Sequence, residues 1–160
     1  MRIFNLLMVA IFLCPSFANA EGMKSLSSMN IDVLKPNADP AEIGFLGVRC
    51  GVLFTVFGGY ILENGTKKGD KELANGLIKK GEEFSFSGIY IDTTTNNKSN
   101  EAVKQQYKAL SDAYIAEMLS GKRLNNSIAT PLVSSDVETC NAAYPFYKEL
   151  TEMIRKRAKK

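Results

Sequence analysis

The sequence predicts an all-α fold: a single-domain bundle of about four helices, its first long helix buried and glycine-rich and tied to the last helix by one disulfide. Three observations carry this. The stretch 43–62, IGFLGVRCGVLFTVFGGYIL, is almost wholly apolar and holds five glycines, with Arg49 as its one charge. Three further segments repeat apolar residues at three- and four-residue spacing, the signature of one buried helix face. Two cysteines, Cys50 and Cys140, fall on the first and last of these segments.

The first twenty residues are set apart from the fold. MRIFNLLMVAIFLCPSFANA has a basic Arg2, an apolar run over 3–13 and an Ala18-Asn19-Ala20 ending, the three parts of a secretory signal peptide cleaved before Glu21. Its apolar run is short for a membrane span. Leu13 stands where a lipid-attached Cys14 would need a small residue before it. The remaining 21–160 suit one domain. Residues 21–37 are mostly polar and read as an extended or loosely helical lead-in, with Pro36 disfavouring helix just before it.

A helix start is expected at Asp39-Pro40-Ala41-Glu42, where Asp39 caps and Pro40 takes the first helical position. This first long helix is expected over 40–63, with Asn64-Gly65 as its stop. On a helical wheel, Gly44, Gly47, Gly51, Thr55 and Gly58 form a narrow stripe that suits a closely approaching neighbour. Ile43, Leu46, Cys50, Leu53, Phe54, Phe57 and Ile61 form a bulky face on another side.

Residues 67–84 suit a second, amphipathic helix through Leu73, Leu77, Ile78 and Phe84. FSFSGIYI at 84–91 alternates apolar and polar residues as a short strand would, but no partner strand is evident, so a helix tail or packed loop is expected. DTTTNNKSN at 92–100 is a loop by composition. Ser99 or Asn100 can cap a third helix over 101–119, carried by Val103, Tyr107, Leu110, Tyr114 and Met118 and ended by Gly121. Residues 125–135 read as a connection, with a single helical turn at Pro131. The last helix is expected to begin with the capping box Ser135-Asp136-Val137-Glu138, and Pro145 is expected to kink or split it.

Composition narrows the function. There is no histidine, which removes imidazole metal ligands and histidine-based triads, and there is no tryptophan. No carboxylate pair or glycine-rich phosphate loop stands out, so the expectation is a protein that is not an enzyme, with no cofactor and no metal site. Net charge is +3, or about +2 once Arg2 is removed, too weak a balance for phosphate-driven nucleic-acid binding.

An even cysteine pair in an exported chain points to a Cys50–Cys140 disulfide and to a periplasmic or secreted location. Arg49 needs an anionic partner or a route to water. Asp136 and Glu138 lie close to Cys140 in sequence, so either can pair with it. The alternative is an anion-binding site at Arg49 for a ligand carboxylate or phosphate.

The basic ending, Arg155, Lys156, Arg157, Lys159 and Lys160, complements a helix C-terminus and offers a second, weaker reading as a membrane contact. Asn64, Asn97 and Asn125 begin glycosylation triplets, which matter only in a eukaryotic source. The functional expectation is an exported, soluble binding or interaction protein whose partner is a protein or a small anionic ligand. The alternative is a membrane-anchored protein with 43–62 as a transmembrane helix, against which Arg49 would cost about 2.5–3.5 kcal/mol near the bilayer centre.

Overall fold

A computed structural model describes residues 23–159 apart from 30, 34 and 36. The signal peptide expected over 1–20 lies outside the described residues. A short 3-10 turn, Leu26–Met29, leads into four helices: α1 (Pro40–Asn64), α2 (Asp70–Thr94), α3 (Asn100–Asn125) and α4 (Pro131–Arg157). No strand occurs among the described residues. The all-α bundle with its buried first helix is therefore the fold, and Cys50 and Cys140 are disulfide-bonded across α1 and α4.

Local chemistry explains where the helices begin. Asp39 caps α1, its carboxylate accepting from the Ala41 N–H at 2.8 Å, and Pro40 occupies the first turn, where no N–H is needed. Ser99 caps α3 by accepting from Ala102 N–H at 3.1 Å.

The helix boundaries depart from expectation in four places. Residues 84–91 take the helix-tail reading rather than the strand or loop: they form the C-terminal part of α2, which departs from expectation in running on to Thr94 and shortening the expected 92–100 loop. The alternation there is incidental: Phe84, Ser87 and Gly88 are buried at helical spacing. Gly121 does not end α3. It is buried inside the helix with Thr130 pressed against it, so that an added Cβ would clash with Thr130 Cγ2. The 125–135 connection is shorter than expected, because Thr130 caps α4 and Pro131 starts it, leaving Ser135 to Glu138 already helical. Of the kink or split expected at Pro145, the split does not occur: α4 continues to Arg157 with Pro145 on its exposed side, where a freed carbonyl can turn to water.

The core is organised by how closely α1 and α2 approach. They run antiparallel with their small residues interleaved. Gly47 faces Gly88 so tightly that a Cβ on Gly47 would lie 2.6 Å from the Gly88 Cα. Gly51 meets Ser85 and Gly81, and Gly58 meets Ala74 and Ile78. The stripe on α1 thus finds a complementary stripe on α2, which brings backbone against backbone and maximises dispersion contact. The bulky face of α1, with Leu46, Cys50, Leu53 and Phe54 buried, packs on the other side into a core shared with Tyr114 and Met118 of α3 and Tyr147 of α4. Phe84 is the aromatic hub of the α2–α4 side, its ring centroid 4.6 Å from Tyr147 and 5.8 Å from both Phe54 and Tyr144.

Candidate functional site

Arg49 emerges from the middle of α1 into the core rather than to solvent. It is 2 % exposed and pairs with Asp136 of α4, itself fully buried, the guanidinium Nη2 lying 2.6 Å from Asp136 Oδ2. The same guanidinium donates through Nε to Tyr114 Oη at 3.1 Å, through Nη1 to Met29 Sδ at 3.4 Å and through Nη2 to the Lys24 carbonyl. Asp136 also accepts from Tyr114 Oη and, at 2.6 Å, from the Leu26 N–H. Burial pushes the Tyr114 phenol well above its ordinary pKa; Arg49 opposes the shift and Asp136 adds to it.

A charge taken out of water is tolerable only with this density of partners. Of the two carboxylates the sequence offers, Asp136 is the partner, while Glu138 is exposed and stands outside the cluster. Tyr114, the Lys24 carbonyl and Met29 are members that sequence reasoning missed. Only Tyr114 left a signal, as a tyrosine on the apolar face of α3. The cluster also clamps the lead-in: Leu26 and Val33 are buried, and Ser27 Oγ lies 2.7 Å from Ser135 Oγ. The guanidinium is enclosed, so an incoming anion meets no open face of it.

A second buried carboxylate, Asp92, was hidden in what the composition marks as loop. Its oxygens accept from Asn96 Nδ2 at 2.9 Å and from Lys98 Nζ at 3.0 Å. Asn96 donates on to the Pro40 carbonyl at 3.0 Å and Lys98 to Gln106 Oε1 at 3.2 Å, closing the α2–α3 turn over the start of α1. On α4, Tyr144 donates to Glu83 at 2.6 Å, and burial, reinforced by that carboxylate, pushes its pKa up to about 12. These contacts join helices. Among the described residues, no three His, Cys, Asp or Glu side chains gather to hold a metal.

The surface is less even than the core. Every exposed leucine and isoleucine among the described residues (Leu62, Leu73, Ile115, Leu119 and Leu124) lies toward the end of the bundle where α1 and α3 finish and α2 starts, exposed by 45 to 73 %. Between α1 and α3 runs a cleft of about 450 Å³ lined by Val56, Gly59, Tyr60, Ile115, Met118 and Leu119. It continues past Tyr60 and Asn64 into one of about 360 Å³ that reaches Lys67, Leu73 and Lys122. A Cβ built on Gly59 meets no atom within 4 Å, so this part of α1 is bare. A further cleft, about 620 Å³ between Ile89 of α2 and the first turns of α3, carries Glu101 as well as Lys104 and Lys108 on its rim.

At the opposite end, Arg155, Lys156 and Arg157 close α4, with Lys159 just beyond and Lys160 outside the described residues. Arg155 lies 5.3 Å above the Phe86 ring, so one of these cations is already used in packing.

The chain matches no family model, no curated protein and no solved structure.

Proposed function

We propose that the chain is an exported, non-enzymatic interaction protein that engages its partner through the apolar end of the bundle. The observation that carries this reading is the segregation of every exposed leucine and isoleucine among the described residues to that end, around an open cleft between α1 and α3. Exposed apolar side chains gathered at one end of a monomer mark a contact site. The chemistry-bearing residues elsewhere support the same reading by being spent inside the fold: Arg49, Asp136, Asp92 and Glu83 are all held by intramolecular partners. The Cys50–Cys140 disulfide is compatible with an oxidising compartment, and with the expected signal peptide it favours a periplasmic or secreted location.

The membrane-anchored alternative keeps one supporting observation. α1 is long and apolar enough to cross a bilayer, with a mean hydropathy of 1.7 over its best window. Against it, 56 % of that window is buried inside the bundle, and inserting α1 would strip Arg49 and Cys50 of their α4 partners.

The test places a photo-crosslinking residue at Leu119, in the cleft, or at Lys148, exposed on α4, in the full chain with export intact. A discrete adduct from Leu119 and none from Lys148 is the expected result. Adducts from neither position, or equally from both, would overturn the reading. Retention of the chain in carbonate-washed membranes would shift it to the anchored alternative.

A further inference from the structure

The apolar end differs from the rest of the surface in a second way, which names its partner. Lys67 and Lys68 sit in the α1–α2 turn, Lys71 in the first turn of α2, and Lys122 and Arg123 in the last turn of α3. One cleft brings Lys67, Leu73 and Lys122 together, so these cations come from three chain segments that converge in space. Five cations therefore stand among the exposed leucines. The acids at this end are Glu63, Asp70 and Glu72, with Glu117 a turn further from the tip along α3. Five cations against Glu63, Asp70 and Glu72 leave this end with an excess of positive charge, Asp70 being tied to the turn by accepting the Lys67 backbone N–H at 2.8 Å.

From this juxtaposition we infer that the end of the bundle formed by Leu62–Leu73 and Leu119–Leu124 adsorbs to an anionic lipid surface, the leucines entering the interface and the lysines and Arg123 pairing with headgroups. The inference rests on the reading of this end as the contact site and names its partner.

The pattern favours lipid over a protein groove for physical reasons. The leucines project from three separate helix ends rather than forming one flat, continuous face, and a deformable interface accepts such scattered projections without shape complementarity. Long lysine and arginine stems can lie along the buried leucines while their charged ends reach outward. Each such cation near an anionic surface adds attraction that salt screens. The basic tail at 155–159 has exposed Met153, Phe86 and Tyr90 near it, but Arg155 already lies over the Phe86 ring, and the leucines and isoleucines exposed by 45 to 73 % all stand at the other end.

The experiment is co-sedimentation of the purified mature chain with vesicles of phosphatidylglycerol or of phosphatidylcholine alone. Binding to phosphatidylglycerol at least about tenfold tighter than to phosphatidylcholine, and weakened by added salt, is expected. The variant Leu119→Asn/Leu124→Asn and the variant Lys67→Glu/Lys68→Glu should each lower that affinity about tenfold or more with an unchanged melting midpoint, since all four side chains are exposed. The tail variant Arg155→Glu/Arg157→Glu should change it less. Equal binding to both vesicle types, no binding, or loss only in the tail variant would overturn the inference. A Leu119 adduct to a protein, found together with no vesicle binding, would overturn the lipid partner while leaving the contact site standing.

Discussion

At the scale of a residue, Arg49 is tolerable in the core because Asp136 answers its charge, and removing either partner strands the other. Arg49→Met leaves the Asp136 carboxyl in the core with Tyr114 and the Leu26 N–H as its remaining partners, and is expected to cost about 3–5 kcal/mol in urea denaturation. Arg49→Met/Asp136→Leu removes both charges and is expected to recover most of that loss. A double variant as unstable as the single one would place the cost in packing instead. Half of this cluster was legible in the sequence, because a lone arginine on an apolar helix demands an acid and only two acids stood close to Cys140. The choice of Asp136 over Glu138 was not, since it depends on which side of α4 faces α1. Nor was the Lys24 carbonyl, because backbone groups carry no sequence signal.

The pairing of α1 with α2 dominates the scale of the element, and it makes the glycines unequal. Gly88→Ala would drive a Cβ to 2.5 Å from the Val48 backbone nitrogen, where neither helix backbone can yield alone. A loss on the order of 3 kcal/mol in melting or urea experiments is expected from such overpacking. Gly59→Ala meets nothing within 4 Å on an α-helix and should stabilise the protein by about 0.4–1 kcal/mol. Equal effects at the two positions would refute the close approach. The α1 half of this seam was legible, since its glycines recur at three- and four-residue spacing. The α2 half was not, because Ser85 and Gly88 lie in a segment whose alternation imitates a strand and whose glycines weaken its helix propensity. There, packing against α1 overrides local preference. The start of α4 was misplaced for a related reason: Thr130-Pro131 and Ser135 to Glu138 both carry capping chemistry, and tertiary contact with Gly121 selects the earlier one.

For the whole molecule, the disulfide and the buried tyrosines set the response to conditions. Cys50 and Cys140 are 90 residues apart, and replacing both with alanine should cost about 4–5 kcal/mol in the chain-entropy model. The urea m-value should rise as the unfolded chain expands, and an unchanged midpoint would show the crosslink to be passive. With no histidine to titrate, stability should change little near neutral pH. Burial raises Tyr114, Tyr144 and Tyr147 above the ordinary value of 10.0, Tyr144 to about 12. The folded state therefore holds phenol protons that the unfolded chain has released. Stability should fall as pH rises past about 10, and phenolate absorbance should appear together with unfolding. Phenolate appearing first, with the fold intact, would mean that these hydroxyls reach water. The all-helical class was legible because helical periodicity and two cysteines agree. The exposed apolar end was not, because exposure is a property of the assembled bundle. The clamp on the lead-in bears finally on time. The Leu26 N–H finds its acceptor 110 residues downstream, and Arg49 finds its counter-ion 87 residues downstream, both at Asp136. In a chain that emerges N-terminus first, from a ribosome or through a membrane, the earliest segment to appear is among the last to be seated. Arg49 stays unpaired until α4 arrives, which delays closure of the core until nearly the whole polypeptide has passed.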